Sequence, residues 1–333
     1  MTQFPQAQAF ATSGIRSSSV VAITSDGEII TGGHADNSIK LVSSDGAKTL
    51  ETAFGHCAPV TCLALSPDNN FLVTGSRDCT VLLWRIHKSF TSRTSVSEPS
   101  TGSGAPFSAN NTNVANNTLA NKGKKCRIEG PIQVLRGHRR EIVSCCVSSD
   151  QGVVVSSSES SDVLLHSIRK GRLIRRLVGV TANSLCISSD GVIMAWSSSE
   201  GSISVFTING VLIAKAKLPF SCGVSCMEMS MDGQNALIGM NSCSSMDYSS
   251  SNEDGKEIER LDVSSPSICF LNLYTLQVFH VPKLGQGQDI TVLALNVDNT
   301  NLLVSTEDKQ LIIFTDPALS LKVVDQMLKL GWE

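Results

Sequence analysis

The chain has 333 residues, of which 41% are hydrophobic and 17% charged; this can bury a large core and is not the composition of a disordered segment. A formal net charge of -3 and a pI near 6.1 give no bulk attraction to nucleic acid or anionic lipid. No apolar run approaches the roughly 20 residues that span a bilayer.

The chain opens on MTQFPQAQAF, which has neither a basic start nor an apolar stretch of the secretory kind, and residues 1–16 are expected to be flexible. From there a phrase recurs as far as residue 318. It consists of an alternating apolar stretch, an acidic turn, a second apolar stretch ending in small residues, another turn, and a third apolar stretch. The acidic turns fall at Asp26, Asp68, Asp150, Asp190, Asp232 and Asp298. The intervals Asp26–Asp68, Asp150–Asp190 and Asp190–Asp232 are each about 40 residues, the period of a four-stranded propeller blade.

The first copy holds Asp36 at its second turn and Val42 in its third stretch. In the second and clearest copy, Gly55–Ile86, residues 60–66 alternate with period two and stop at Pro67-Asp68-Asn69-Asn70. A second strand is predicted over Phe71–Thr74, a turn at Ser76-Arg77-Asp78, and a third strand over Val81–Ile86. Residues 89–130 then form a polar insert rich in Ser, Asn, Thr and Gly. The third copy begins at Gly137-His138 and carries Ser156, Ser160 and His166. The fourth carries Glu200 and Phe206, and the fifth runs from Asp232 into a second insert, Ser-rich and acidic, over residues 242–265. The sixth has Asp308 and Phe314, and no Gly-His precedes it. Removing inserts of that size restores the period, and both are expected to be disordered and solvent-exposed. In the tail, residues 319–333, the spacing of Leu321, Val324, Leu328 and Leu330 permits an amphipathic helix or a final strand, and the tail with Trp332 is expected to pack on the propeller.

The predicted fold is all-β: a propeller of six recognisable blades. A small twisted sheet cannot bury both faces alone, whereas radial stacking covers each face with a neighbour. Aromatics are 5% of the chain, so Val, Ile, Leu and Cys must fill the core. The 11 cysteines are odd in number, and Cys62, Cys145, Cys186 and Cys226 lie in apolar runs. That pattern predicts reduced buried thiols and a cytoplasmic setting, in which the Asn110 and Asn116 sequons are chance matches.

Candidate chemistry is sparse. Cys145-Cys146 would point to opposite faces of a strand, and Cys222 with Cys226 lacks a second pair, so no metal site is expected. No nucleophile elbow, phosphate-binding loop or dinucleotide fingerprint occurs, so neither a catalytic residue nor a cofactor is expected. Two basic clusters stand out. One is Lys122, Lys124, Lys125 and Arg127 in the first insert. The other is Arg169, Lys170, Arg172, Arg175 and Arg176, with Arg136, Arg139 and Arg140 a strand away. The second is the expected contact for an acidic partner or anionic headgroups. No aromatics interleave with it, which argues against nucleic acid.

Gly55-His56, Ser66-Pro67-Asp68, Thr74-Gly75-Ser76 with Asp78, and Trp84 resemble the motif of a WD repeat. The resemblance implies a hydrogen-bonded structural network of His56, Thr74, Asp78 and Trp84, with His138 in the same role in the third copy. The Gly55–Trp84 stretch is similar to the C-terminal WD region of BEACH-domain proteins, the beige/neurobeachin-type scaffolds of membrane traffic. Gly33–Gly46 and Thr306–Glu333 look most like the plant SPIRRIG-type members. Such propellers often have seven blades, so the resemblance implies a piece of a longer protein. It implies a non-catalytic protein-interaction scaffold, cytoplasmic and peripheral to endomembranes. Its partners would be other proteins, among them the BEACH and PH-like region of its parent, with an anionic membrane surface as a weaker alternative. A ubiquitin-ligase adaptor is disfavoured, because Trp84-Arg85-Ile86-His87 lacks the Asp and Arg that such adaptors carry after the third strand.

Overall fold

A computed structural model describes residues 20–25, 27–43, 48–87, 127–159, 162–217, 224–230, 233, 235–240, 267–273, 278–281, 290–295, 301–306 and 311–315. The 1–16 segment, the second insert, most of the first, and the 319–333 tail with Trp332 lie outside them. So do Lys122, Lys124, Lys125, Ser160 and Asp308.

Six antiparallel sheets follow one another along the chain, and among the described residues all regular structure is strand. Blade 1 holds β1 (Val21–Ile23), β2 (Ile29–Thr31), β3 (Ile39–Val42) and β4 (Thr49–Ala53). Blade 2 holds β5 (Val60–Leu65), β6 (Phe71–Ser76), β7 (Val81–His87) and β8 (Arg127–Leu135). Blade 3 holds β9 (Ile142–Ser148), β10 (Val153–Ser158), β11 (Val163–Ser167) and β12 (Leu173–Leu177). Blade 4 holds β13 (Ser184–Ile187), β14 (Val192–Ser197), β15 (Ser202–Thr207) and β16 (Leu212–Lys217). Blade 5 holds β17 (Val224–Met229), β18 (Asn235–Met240), β19 (Ser267–Asn272) and β20 (Val278–Val281). Blade 6 holds β21 (Ile290–Leu295), β22 (Asn301–Thr306) and β23 (Leu311–Thr315). The all-β reading and its six repeat units are both met.

One local expectation is corrected. β8 begins at Arg127, inside the segment assigned to the first insert, and pairs with β7 through Ile86↔Ile128 and His87↔Arg127. Ile128 is buried. Gly130 and Pro131 interrupt the apolar alternation, so the polar run concealed the start of the strand.

The first turns of blades 1, 2, 4 and 5 are built the same way. The Thr24, Ser66, Ser188 and Ser230 hydroxyls accept from the backbone N–H of the residue opening the second strand or just before it, at 2.9–3.1 Å. The turn, in blade 3 as well, then reverses through a left-handed residue: Gly27 (φ 82°), Asn69 (φ 57°), Gly152 (φ 65°), Gly191 (φ 85°) or Gly233 (φ 65°). Gly and Asn are the residues that tolerate this backbone, and this places them beside the acidic markers.

The core lies between the blades. Ile30, Leu41, Leu63 and Trp84 join blades 1 and 2. Cys62, Leu83, Ile142 and Val154 join blades 2 and 3. Further layers follow between blades 3 and 4, 4 and 5, and 5 and 6. β-branched and sulfur side chains fill narrow wedges well, which suits a chain with few aromatics.

Candidate interaction surface

The blade 2 side-chain network is continuous. His56 Nδ1 lies 2.9 Å from Asp78 Oδ2, and His56 Nε2 lies 2.8 Å from Thr74 Oγ1. Trp84 Nε1–H donates to Thr74 Oγ1 at 2.9 Å. A single proton arrangement satisfies all three bonds. Trp84 donates to Thr74, Thr74 to Nε2 of neutral His56, and His56 Nδ1–H to Asp78. Burial pushes the His56 pKa down against the pull of Asp78, which keeps the ring neutral. Burial also works against the Asp78 charge, but hydrogen bonds from Thr80, the Cys57 N–H and His56 hold its carboxyl below the usual range. The carboxylate orients the loop that enters β5.

Blade 1 replaces this arrangement with a local one. His34, buried in the turn after β2, meets Thr31 Oγ1 through Nε2 at 3.0 Å. Asp36 accepts from the Ser38 hydroxyl at 2.6 Å, as Asp78 does from Thr80 at 2.6 Å. Sequence reasoning missed His34; the signal was the Gly33-His34 pair next to Asp36, which follows the second strand of its blade where Gly55-His56 precedes the first.

Blade 3 keeps half of the network. His138 Nε2 reaches Ser156 Oγ at 2.8 Å, and His166, in the place of Trp84, donates through Nε2 to the Arg136 carbonyl at 3.0 Å. Both Nδ1 atoms are buried without a hydrogen-bond partner. Burial, then the positive neighbours His166 and Arg176, pushes the His138 pKa down to about 4.

The structure divides the basic residues. Arg136, Arg139 and Arg140 are exposed around the β8–β9 loop, on the face where chains enter the inner strands. Arg77, in the β6–β7 turn, lies 3.1 Å from Glu141 at the foot of that loop and joins the two loops on one face. Arg169, Lys170 and Arg172 sit in the β11–β12 turn at the opposite end of blade 3. Arg175 and Arg176 lie on β12 between the two ends, with Arg176 3.6 Å from Asp162. The expected single cluster is thus two, because a blade strand runs the full height of the ring.

On the lower face a half-open cleft of about 550 Å³ separates blades 2 and 3, lined in part by Phe71, Arg85, Asp150 and Arg169. The Arg85 guanidinium lies 5.9 Å from the centre of the Phe71 ring. Cys145 packs between blades 2 and 3, and Cys146 between blades 3 and 4. Among the described residues no three metal-ligating side chains converge, and no helix is long and apolar enough to cross a membrane.

Comparison with known proteins gives a consistent result. The family model of the neurobeachin beta propeller domain matches residues 6–322. BEACH domain-containing protein B of Arabidopsis thaliana is 27% identical over 212 residues, covering 62% of this chain and 7% of that protein. Putative neurobeachin homologs of Caenorhabditis briggsae and Caenorhabditis elegans are 27% and 26% identical over 68% of the chain and 8% of their own length. The chain therefore spans less than a tenth of these relatives. Among solved structures, the Cps50 (Swd1) β-propeller domain of Myceliophteria thermophila superposes with a TM-score of 0.58 at 11% identity, covering 90% of this chain and 82% of that one.

Proposed function

The chain belongs to the neurobeachin β-propeller domain family, and from that premise we propose that it is a non-catalytic protein-interaction platform. It would act as the propeller part of a BEACH-type scaffold in vesicle and membrane traffic, in the cytoplasm and peripheral to endomembranes. Its partners are proteins, among them the BEACH and PH-like region of a parent chain; nucleic acid is not among them.

The observation that carries this reading is the upper face of blades 2 and 3. Arg136, Arg139 and Arg140 are exposed there, beside the Arg77–Glu141 pair, on loops held by a rigid frame. Loops on a fixed scaffold suit recognition, and Arg recurs at the energetic centres of interfaces. Such a surface takes an acidic protein segment.

Two experiments test the reading. An immunoblot with an antibody to residues 242–265 should show a band far above 35.4 kDa; a band at that mass would remove the scaffold context. The triple variant Arg136→Glu, Arg139→Glu, Arg140→Glu should lose cytosolic proteins that the parent chain captures. Unchanged capture would show that this face is not the contact.

A further inference from the structure

The outer strands of blades 3 and 4 differ from those of blades 1 and 2. Of the ten exposed large apolar side chains among the described residues, six lie on or beside β12 and β16: Leu173, Ile174, Val178, Val211, Leu212 and Ile213. An outer strand presents unpaired backbone N–H and C=O groups, and proteins blunt such edges with charge of either sign or with proline. β4 carries Glu51, and β8 carries Glu129 and Pro131. β12 and β16 carry no acidic residue and no proline. Their charges are all positive.

The register shows which side chains share a groove. Arg175 pairs across from Leu165 and Leu177 across from Val163, both of which pack toward blade 4, so Arg175 and Leu177 share that face. Lys215 pairs with Ser204 and Lys217 with Ser202, so both stand on the face of β16 opposite Ala214, which packs toward blade 5. They therefore face blade 3. β12 meets the turn that leads into β16, since a Cβ on Gly210 in that turn would lie 2.9 Å from Arg175 Cδ and 2.9 Å from Leu177 Cδ2. Lys215 is paired with Glu200. Arg175 and Lys217 make no ion pair among the described residues.

We propose that the open edge of β16 takes an extended peptide of alternating acidic and apolar residues as an added strand. This deepens the protein-interaction reading and rests on it. Side chains of an added strand alternate between its two faces. On the blade 3 side, acidic residues meet Lys215, Lys217 and Arg175. On the other side, apolar residues cover the half-exposed Ala214 and Ala216. A bilayer is the poorer occupant, because hydrocarbon offers no partner to the strand's backbone groups.

The probe is fluorescein-labelled acetyl-Glu-Val-Glu-Val-Asp-Val-Glu-Ile-amide, with the same peptide carrying Lys for every acid as control. Binding to the full chain is read by anisotropy, and hydrogen exchange of the β16 amides by mass spectrometry. The acidic peptide should bind at least about tenfold more tightly than the control and slow exchange in β16. Arg175→Glu with Lys217→Glu should abolish that preference. Ile213→Glu should weaken binding in a chain whose melting temperature is unchanged. Equal binding of the two peptides, or binding without protection of β16, would overturn the proposal. So would vesicles of three parts phosphatidylcholine to one part phosphatidylserine binding through Arg175 and Lys217 while the peptide does not. If the β16 variants change nothing and the Arg136, Arg139, Arg140 variant still loses its captured proteins, this inference fails and the platform reading stands.

Discussion

Trp84 Nε1 donates to Thr74 Oγ1 at 2.9 Å, and this bond ties the third strand of blade 2 to its second, on which Thr74 lies. The indole is fully buried between blades 1 and 2. Its nitrogen cannot reach water, so Thr74 is its necessary acceptor, and the Thr74 hydroxyl in turn donates a hydrogen bond to His56 Nε2. Trp84→Ala should therefore cost about 3–5 kcal/mol. Thr74→Val, which keeps the volume and strands two buried groups, should cost about 1–3 kcal/mol. Urea unfolding midpoints would check both, and an unchanged midpoint for Trp84→Ala would contradict the burial.

Acid should destabilise the fold before the carboxylates titrate. Burial pushes the pKa values of His56, His138 and His166 down, that of His138 to about 4. The unfolded chain then binds these protons first, so stability falls as pH drops from about 6.5 toward 4. Glu228, on inner strand β17, works the other way. Burial raises its pKa to about 7, so the folded state binds a proton first and gains stability as pH falls from 7 to about 4.5. Glu228→Gln should make the acid loss steeper and His166→Phe should make it shallower, as read by melting temperature across that range. Parallel curves for all three proteins would contradict both assignments.

Gly75 is fixed by close approach, because a Cβ there would lie 2.5 Å from Ile142 Cγ2 and 2.6 Å from Cys62 Sγ. Both neighbours belong to the packed seam between blades 2 and 3, and the Thr61 hydroxyl donates across the same seam to the Ile142 carbonyl at 2.6 Å. Gly75→Ala should destabilise by about 1–3 kcal/mol, as overpacking does. Thr61→Val should destabilise less. If Gly75→Ala were neutral by calorimetry, the seam would be softer than these distances require.

The blades were legible where local chemistry repeats. Asp68, Asp150 and Asp190 mark turns because a left-handed residue must follow within two positions, and the hydroxyls of Ser66 and Ser188 cap the same turns. Gly55-His56 and Trp84 announced the blade 2 network for the same reason. His34 was not legible, since Gly33-His34 follows the second strand of its blade, whereas Gly55-His56 precedes the first strand of its own. The start of β8 was hidden because a strand only partly buried carries few apolar residues. The basic residues were legible as charges but not as a surface. Arg140 and Arg169 are close in sequence, yet the strands of blade 3 hold them at opposite ends of the ring.

The cysteines give a last test of the interblade core. Cys145 and Cys146 are neighbours in sequence, but each is wedged in a different seam; the Cys62 hydrogen bond and then burial raise the Cys145 thiol above its ordinary pKa, and burial raises Cys146, Cys186 and, to about 11, Cys226. The thiolate is the reactive form, so these groups should resist alkylation in the folded chain. Cys57, exposed in the loop before β5, is open to the reagent. Iodoacetamide labelling at pH 8, followed by mass spectrometry, should modify Cys57 first and spare Cys145 and Cys146 until urea opens the seams. Early labelling of Cys146 would mean that blades 3 and 4, between which it packs, separate readily.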